Sequence, residues 1–294
     1  MSSVAPDFQN RISTRSHWWR IAAANPVCMI ACAVLLAIAA VSLFAPLLAQ
    51  HSPTEIAPAL RLRPPSAEFL LGTDSYGRDL FARIVYGGRI SLLVGLGAAA
   101  AGVIGGLALG LIAGYFRAAD AFIMRAMDGI MAIPNVLLAI AVVALWGGNL
   151  AAVLIAITIP EIPRVTRLVR SVVLSSREEP YVEAAIVLGT PSAAILWRHL
   201  MPNAIGPLIV QGTYICASAI LLESILSFLG AGIHPEIPTW GNIMADGRLY
   251  FQIRPSMILW PALLLSLTIL SINIIGDTAR DWLDPRTARR LGPA

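Results

Sequence analysis

Glu183-Ala184-Ala185-Ile186-Val187-Leu188-Gly189-Thr190-Pro191-Ser192-Ala193-Ala194-Ile195-Leu196-Trp197-Arg198-His199-Leu200-Met201-Pro202 lies between two long apolar runs. It is too rich in Pro, Gly and basic side chains to cross a bilayer, and too regular for a plain connector. Pro180 suits the first turn of a helix, with Glu178 and Glu179 near its positive N-terminus. Gly189 can end that helix in a left-handed conformation; Thr190 can cap a second helix, with Pro191 in its first turn. The expectation for 178–203 is two short helices at an angle, after which Pro202 restarts the chain. Ala184 and Ala185 leave a small surface that another protein's groove can approach, and Glu183 offers a carboxylate to a partner's cation.

Composition names the solvent. The 294 residues are 57% apolar and 13% charged, against a soluble norm of roughly 45–50% and about 25%. That much apolar surface needs lipid. The formal net charge is +4 and every basic residue is Arg. These Arg residues are scattered between apolar spans instead of forming one stripe, which speaks against nucleic acid. Cys28, Cys32 and Cys216 sit inside apolar runs and read as small buried hydrophobes. His51 and His234 lack ligand spacing, and no metal site is expected.

The chain reads as an all-α polytopic membrane protein with six transmembrane helices. Residues 1–25, with Trp18-Trp19, read as a cytoplasmic lead-in and not as a cleaved signal peptide. Residues 26–49 form the first span, and 50–89 a polar outer loop ending in a short amphipathic helix at 78–86. Residues 90–276 form the core, with spans at about 90–114, 122–146, 150–160, 206–230 and 255–276 and the polar insert at 178–203. The fourth span is short; Pro160 and Pro163 interrupt its end, and Arg164, Arg167 and Arg170 then line one side of a helix running into water. Gly102, Gly106 and Gly110 place small residues on one face, where a neighbouring helix can approach closely. Residues 277–294 are a polar tail. With the N-terminus inside, 14 Arg fall on cytoplasmic segments and 7 on outer ones, so both termini and the insert are placed in the cytoplasm.

The spacing Glu183-Ala184-Ala185-x3-Gly189 resembles the EAA loop of ATP-binding-cassette (ABC) importer permeases. The general family pattern ends Ile-x-Leu-Pro, whereas His199 and Met201 hold the two apolar positions here. Arg198-His199-Leu200-Met201-Pro202-Asn203 instead resembles the ending of the peptide-importer branch. Three further stretches look like the dipeptide, oligopeptide and nickel permeases: Leu71-Gly72-Thr73-Asp74-x2-Gly77-Arg78-Asp79, Ser227-Phe228-Leu229-Gly230-Ala231-Gly232 with Trp240-Gly241, and Gly276-Asp277-x2-Arg280-Asp281-x2-Asp284-Pro285. Pro160-Glu161-Ile162-Pro163 departs from the usual pattern and leaves the end of span four open.

The resemblance implies a C-type permease of the type I importer fold in the bacterial inner membrane, importing short peptides; nickel or glutathione are alternatives. It implies a homologous second permease, two cytoplasmic ATP-binding subunits and an extracytoplasmic substrate-binding protein as partners, besides membrane lipid. It also gives Glu183, Ala184, Ala185 and Gly189 the coupling role. The chain lacks a Gly-Lys-Ser/Thr phosphate loop, so ATP and Mg belong on the partner, and neither cofactor nor catalysis is expected here. An intramembrane enzyme would need Ser-Lys, paired Asp or His-Glu-x2-His; Lys is absent and no such His pair occurs. A secondary carrier would typically carry an internal repeat. Two acids fall inside spans: Asp128, for which Arg125 is the expected partner, and Glu223, a candidate for lining the pore or bracing the bundle.

Overall fold

The computed structural model describes residues 25–283; the expected lead-in before Asn25 and the tail beyond Leu283 lie outside the described residues. Among those residues the architecture is helical, and the one strand-like contact is an isolated bridge between Thr73 and Asp79. In chain order the helices are α1 (Pro26–Leu43), α2 (Ala45–Leu48), α3 (Leu80–Tyr115), α4 (Arg117–Met131), α5 (Asn135–Trp146) and α6 (Leu150–Thr158). There follow α7 (Ile162–Arg177), α8 (Pro180–Val187), α9 (Ser192–Ile195), α10 (Met201–Phe228), α11 (Trp240–Gly247) and α12 (Ser256–Leu283). Short polar side chains open several of them. Asp79 accepts from the Phe81 N–H ahead of α3, Asn149 from Ala152 ahead of α6, and Thr239 from Asn242 ahead of α11.

Four helical segments are long and apolar enough to cross a bilayer: α1, α3, the continuous run 192–228, and α12. A fifth arises if α4 and α5, bent by 88°, count as one broken span. The bend falls at Ala132–Pro134, where a proline disfavours helix in the residue before it. The expected fourth span is α6 alone, nine residues long; a turn through Pro160 separates it from the charged α7. The six-span count is therefore approximate, while the all-α membrane fold stands.

Three boundaries differ from the expectation. The stretch 78–86 is no separate surface helix: Asp79 caps it and it forms the first turns of α3, 36 residues and about 54 Å long. Its apolar face is drawn inward, since Leu80 and Ile84 pack with Ile243 and Met257. Pro202 does not restart the chain either. A π-helical turn at 196–200 leads directly into α10, so the run continues past it. The wider turn stands just ahead of a residue that lacks an N–H, where an unbroken α ladder would lose a bond. At the C-terminal end, residues 277–283 continue α12 instead of forming a tail.

The glycine stripe positions the rest. An added Cβ at Gly106, Gly110 or Gly114 would lie 2.3–2.6 Å from the Cβ of Val165, Val169 or Val173. Those valines are the buried face of α7, so α3 and α7 touch backbone to side chain along three turns. This fixes α7, and with it the insert that follows.

Candidate functional site

The insert occupies one end of the helical bundle, and the loop 50–79 with α11 occupies the other. In α8 the first turn holds Pro180 and Glu183. Val182 and Ala185 are buried against the body, while Glu183 and Ala184 are exposed. Ala185 is thus not part of the open surface expected of it, because helical geometry puts it on the same face as Val182. The open surface is larger and more apolar than expected: Ile186 is half exposed, Val187 is 86% exposed and Leu188 84%, and in the π turn Trp197 is 64% exposed. Helical periodicity carried the signal, since all three residues before Gly189 cannot share the inward face.

Gly189 ends α8 as the sequence predicts, at φ +73°. The Gly189 N–H donates to Ile186 O at 2.9 Å and the Thr190 N–H to Ala185 O at 3.1 Å. This pair of bonds is a Schellman closure, which needs the left-handed residue in between. An added Cβ meets nothing within 4 Å, so the requirement is conformational and not spatial.

Asn203 ties the insert down. Its Nδ2 lies 2.7 Å from the Tyr181 hydroxyl, 3.1 Å from Ser176 Oγ and 3.2 Å from His199 O. Three acceptors share two hydrogens, and they belong to α8, α7 and the π turn. At the end of α3 the Tyr115 hydroxyl meets Ser192 Oγ, and its carbonyl accepts from Arg177. The sequence reading gave neither Asn203 nor Tyr115 a role in holding the insert.

Three of the four Arg of α7 find an acid; the fourth, Arg177, bonds the Tyr115 carbonyl. Arg170 grips Asp120 with two nitrogens, at 2.5 and 2.7 Å, and Arg167 reaches Asp128 at 2.6 Å. Asp128 therefore pairs across to α7 and not with its neighbour Arg125; Arg125 lies on its own helix, while α7 lies alongside. Arg164 holds both oxygens of the buried Glu161, at 3.0 and 3.2 Å.

The opposite end has its own polar architecture. Asp74 accepts from the N–H groups of Tyr76 and Arg78 and from Arg78 Nε at 2.6 Å. Arg78 also reaches Asp246 at 3.0 Å, as does Arg83 at 3.4 Å. Arg83 is 1% exposed, and its Nη1 lies 3.3 Å from Asp74 without making a hydrogen bond; its Nε has no hydrogen-bond partner among the described residues. Burial pushes the Asp246 carboxyl above the usual range, the Arg78 charge opposes this, and Asp74 adds to it. His51 stacks on Phe69 with ring centroids 4.9 Å apart and lies 3.3 Å from Asp79. A cavity of about 720 Å³ opens at this end, lined in part by Tyr76, His234, Asp246, Arg248 and Tyr250.

Glu223 is fully buried in α10 among hydroxyls. Ser227 donates to it at 2.8 Å, and Ser91 of α3 and Ser224 lie at 3.5 Å. Ser91 in turn accepts from the Trp240 N–H at the start of α11. The carboxylate therefore joins three helices.

Residues 106–289 match the family described as binding-protein-dependent transport system inner membrane component. Residues 13–65 match the N-terminal TM domain of oligopeptide transport permease C. A probable peptide ABC transporter permease of Sinorhizobium fredii is 49% identical, over 92% of this chain and 93% of its own length. A dipeptide transport system permease protein of Alkalihalophilus pseudofirmus is 43% identical, over 89% of this chain and 86% of its own. Among solved structures, the inward-facing MetNI methionine ABC transporter superposes with a TM-score of 0.54 at 20% identity. It covers 68% of this chain and 96% of that one, a likeness of fold.

Proposed function

We propose a peptide-import role from one premise: the chain belongs to the family of binding-protein-dependent transport system inner membrane components, whose profile spans 106–289. It is an ABC permease subunit, a membrane-embedded part of a transport complex. Its cargo is short peptides, as the names of relatives 49% and 43% identical over about nine-tenths of the chain support. A homologous second permease completes the path. Two cytoplasmic subunits bind and hydrolyse ATP with Mg, and an extracytoplasmic binding protein delivers the peptide to the end that carries α11. The 14-to-7 Arg distribution supports a cytoplasmic insert and cytoplasmic termini.

The observation that carries the coupling role is the exposed apolar corner Ile186-Val187-Leu188, closed by the left-handed Gly189 and flanked by Glu183. Exposed side chains of this kind at a polar end call for a protein groove. ATP-driven approach of the two ATPases then pulls on α8, and the Asn203 contacts and the packed α3–α7 pair carry that movement into the spans. Glu223 acts as a brace between α3, α10 and α11.

Reconstitution of the complex with a Val187→Cys permease tests this. A thiol cross-linker should join it to the ATPase, whereas a cross-link to the binding protein, or to neither, would refute the docking. In intact cells, labelling should modify Ser66→Cys and spare Ser192→Cys; the reverse pattern inverts the orientation.

A further inference from the structure

We infer that peptide leaves along a polar track on this chain formed by the start of α7, α10 and α12, and that Arg164 binds the peptide carboxylate there. The inference rests on the peptide-import reading and adds the surface the peptide meets.

Polar side chains within spans of this apolar chain need a reason, because lipid penalises them. Gln211, Tyr214 and Ser218 of α10 are spaced i, i+3, i+7 and so share one face. Asn273 and Asp277 of α12 stand opposite, and the Tyr214 hydroxyl donates to Asp277. A cleft of about 310 Å³ is lined by Gln211, Tyr214, Ser218 and Asn273 together with Glu161 and Arg164. Gln211 and Tyr214 also line a second cleft of about 660 Å³, which runs on to Pro202, Asn203 and Arg280. The two form one track from the middle of the spans to the insert end. Ligand sites commonly fall between about 300 and 1,000 Å³.

The groups on this track suit a peptide. Glu161 is 3% exposed and spends both oxygens on a single nitrogen of Arg164. That leaves Nε and Nη2 of Arg164 without a partner among the described residues, on a side chain 46% exposed. A guanidinium edge held open in this way fits a carboxylate with two parallel bonds. The amides of Gln211 and Asn273 and the Ser218 hydroxyl both donate and accept, which suits a peptide backbone whatever its side chains. Glu161 thus positions Arg164, and the amides tolerate variety in the cargo.

The test uses the reconstituted complex with its ATPases and binding protein, the permease carrying no native cysteine. A charged thiol reagent should label Ser218→Cys and Asn273→Cys during ATP turnover, transported dipeptide should slow that labelling, and Leu36→Cys on α1 should stay unlabelled. In Arg164→Gln, import of dipeptides with a free carboxylate should fall about tenfold relative to their C-terminal amides. The binding protein is the same in both assays, so a change in that ratio reports this chain. Failure to label either cysteine in a complex that still imports peptide overturns the track. An equal fall for both peptide forms overturns the carboxylate role of Arg164. A wild-type complex that imports no peptide overturns the import reading instead, and is a separate result. Should Arg164→Gln fail to assemble, the labelling of Ser218→Cys and Asn273→Cys still decides the track.

Discussion

The two ends of the bundle solve opposite problems. At the end formed by the loop 50–79 and α11, charges are buried and answered within the chain: Asp74, Arg78, Arg83 and Asp246 form one network, with Glu223 held by hydroxyls close by. At the other end apolar groups are left in the open, with Val187 and Leu188 each more than four-fifths exposed on a short helix. Buried charge is tolerable only where the partners are fixed, so the first end is built to keep its shape. Exposed apolar surface is tolerable only where something else covers it, so the second is built to be completed. The contrast separates a braced end from an open one, the end proposed to dock, and substitutions at each should fail in different ways.

The largest effect is expected at the braced end. Asp74→Ala leaves Arg78 and Arg83 buried with part of their counter-charge gone, which should cost about 3–5 kcal/mol. Thermal unfolding of the detergent-solubilised subunit reads this directly, and an unchanged midpoint would break the contrast. Glu223→Leu should act in the same direction by stranding the hydroxyls of Ser91 and Ser227, at about 1–3 kcal/mol for each buried group left unsatisfied. Glu223→Gln should keep assembly near normal, with normal transport per assembled complex. Altered turnover at full assembly would instead give Glu223 a part in the path.

Gly189 sharpens the other side. A residue with a Cβ at φ +73° costs roughly 1–2 kcal/mol, and a β-branched one more, while the space around it is empty. Gly189→Val should therefore lower transport and substrate-stimulated ATP hydrolysis together, further than Gly189→Ala, while membrane insertion persists and the unfolding midpoint of the isolated permease falls less than in Asp74→Ala. A loss of permease stability as large as that of Asp74→Ala would mean that the turn braces the fold as well as the proposed docking surface.

How much of this was legible in the sequence depends on which residues supply the partners. The turn at Gly189 and the close-packing face of Gly102, Gly106 and Gly110 are local patterns, and both were readable. The partner of that face was not: α7 presents Val165 to Gly106 and Val169 to Gly110, while Gly102 faces Glu161 and Ile215, and periodicity gives a face without naming its neighbour. Asp128 shows the same limit, since sequence proximity favoured Arg125 and the fold supplied Arg167, 39 residues away. The bond from Arg78 to Asp246 spans 168 residues. Such pairs exist only after the helices have packed. The start of α3 was misread for a related reason: amphipathic spacing at 78–86 fits a helix lying on a membrane as well as one packed on α11.

Asp246 gives the smallest and most specific test. Burial raises its carboxyl in the folded chain, more than the Arg78 charge lowers it. A group raised on folding binds its proton more tightly in the folded state, so its contribution to stability is fully present below the ordinary Asp value. That contribution is lost as pH rises through the raised one. Acidification across that window should therefore lessen the cost of keeping Asp246 where it is, a trend opposite to that of a carboxylate held low by its partner. Asp246→Asn removes the titration, so the mutant's unfolding midpoint should show a shallower gain on acidification than the wild type over the same window. Identical slopes would mean that the charges of Arg78 and Arg83 balance burial at this end, and a wild type that loses more stability on acidification than the mutant would mean that they outweigh it.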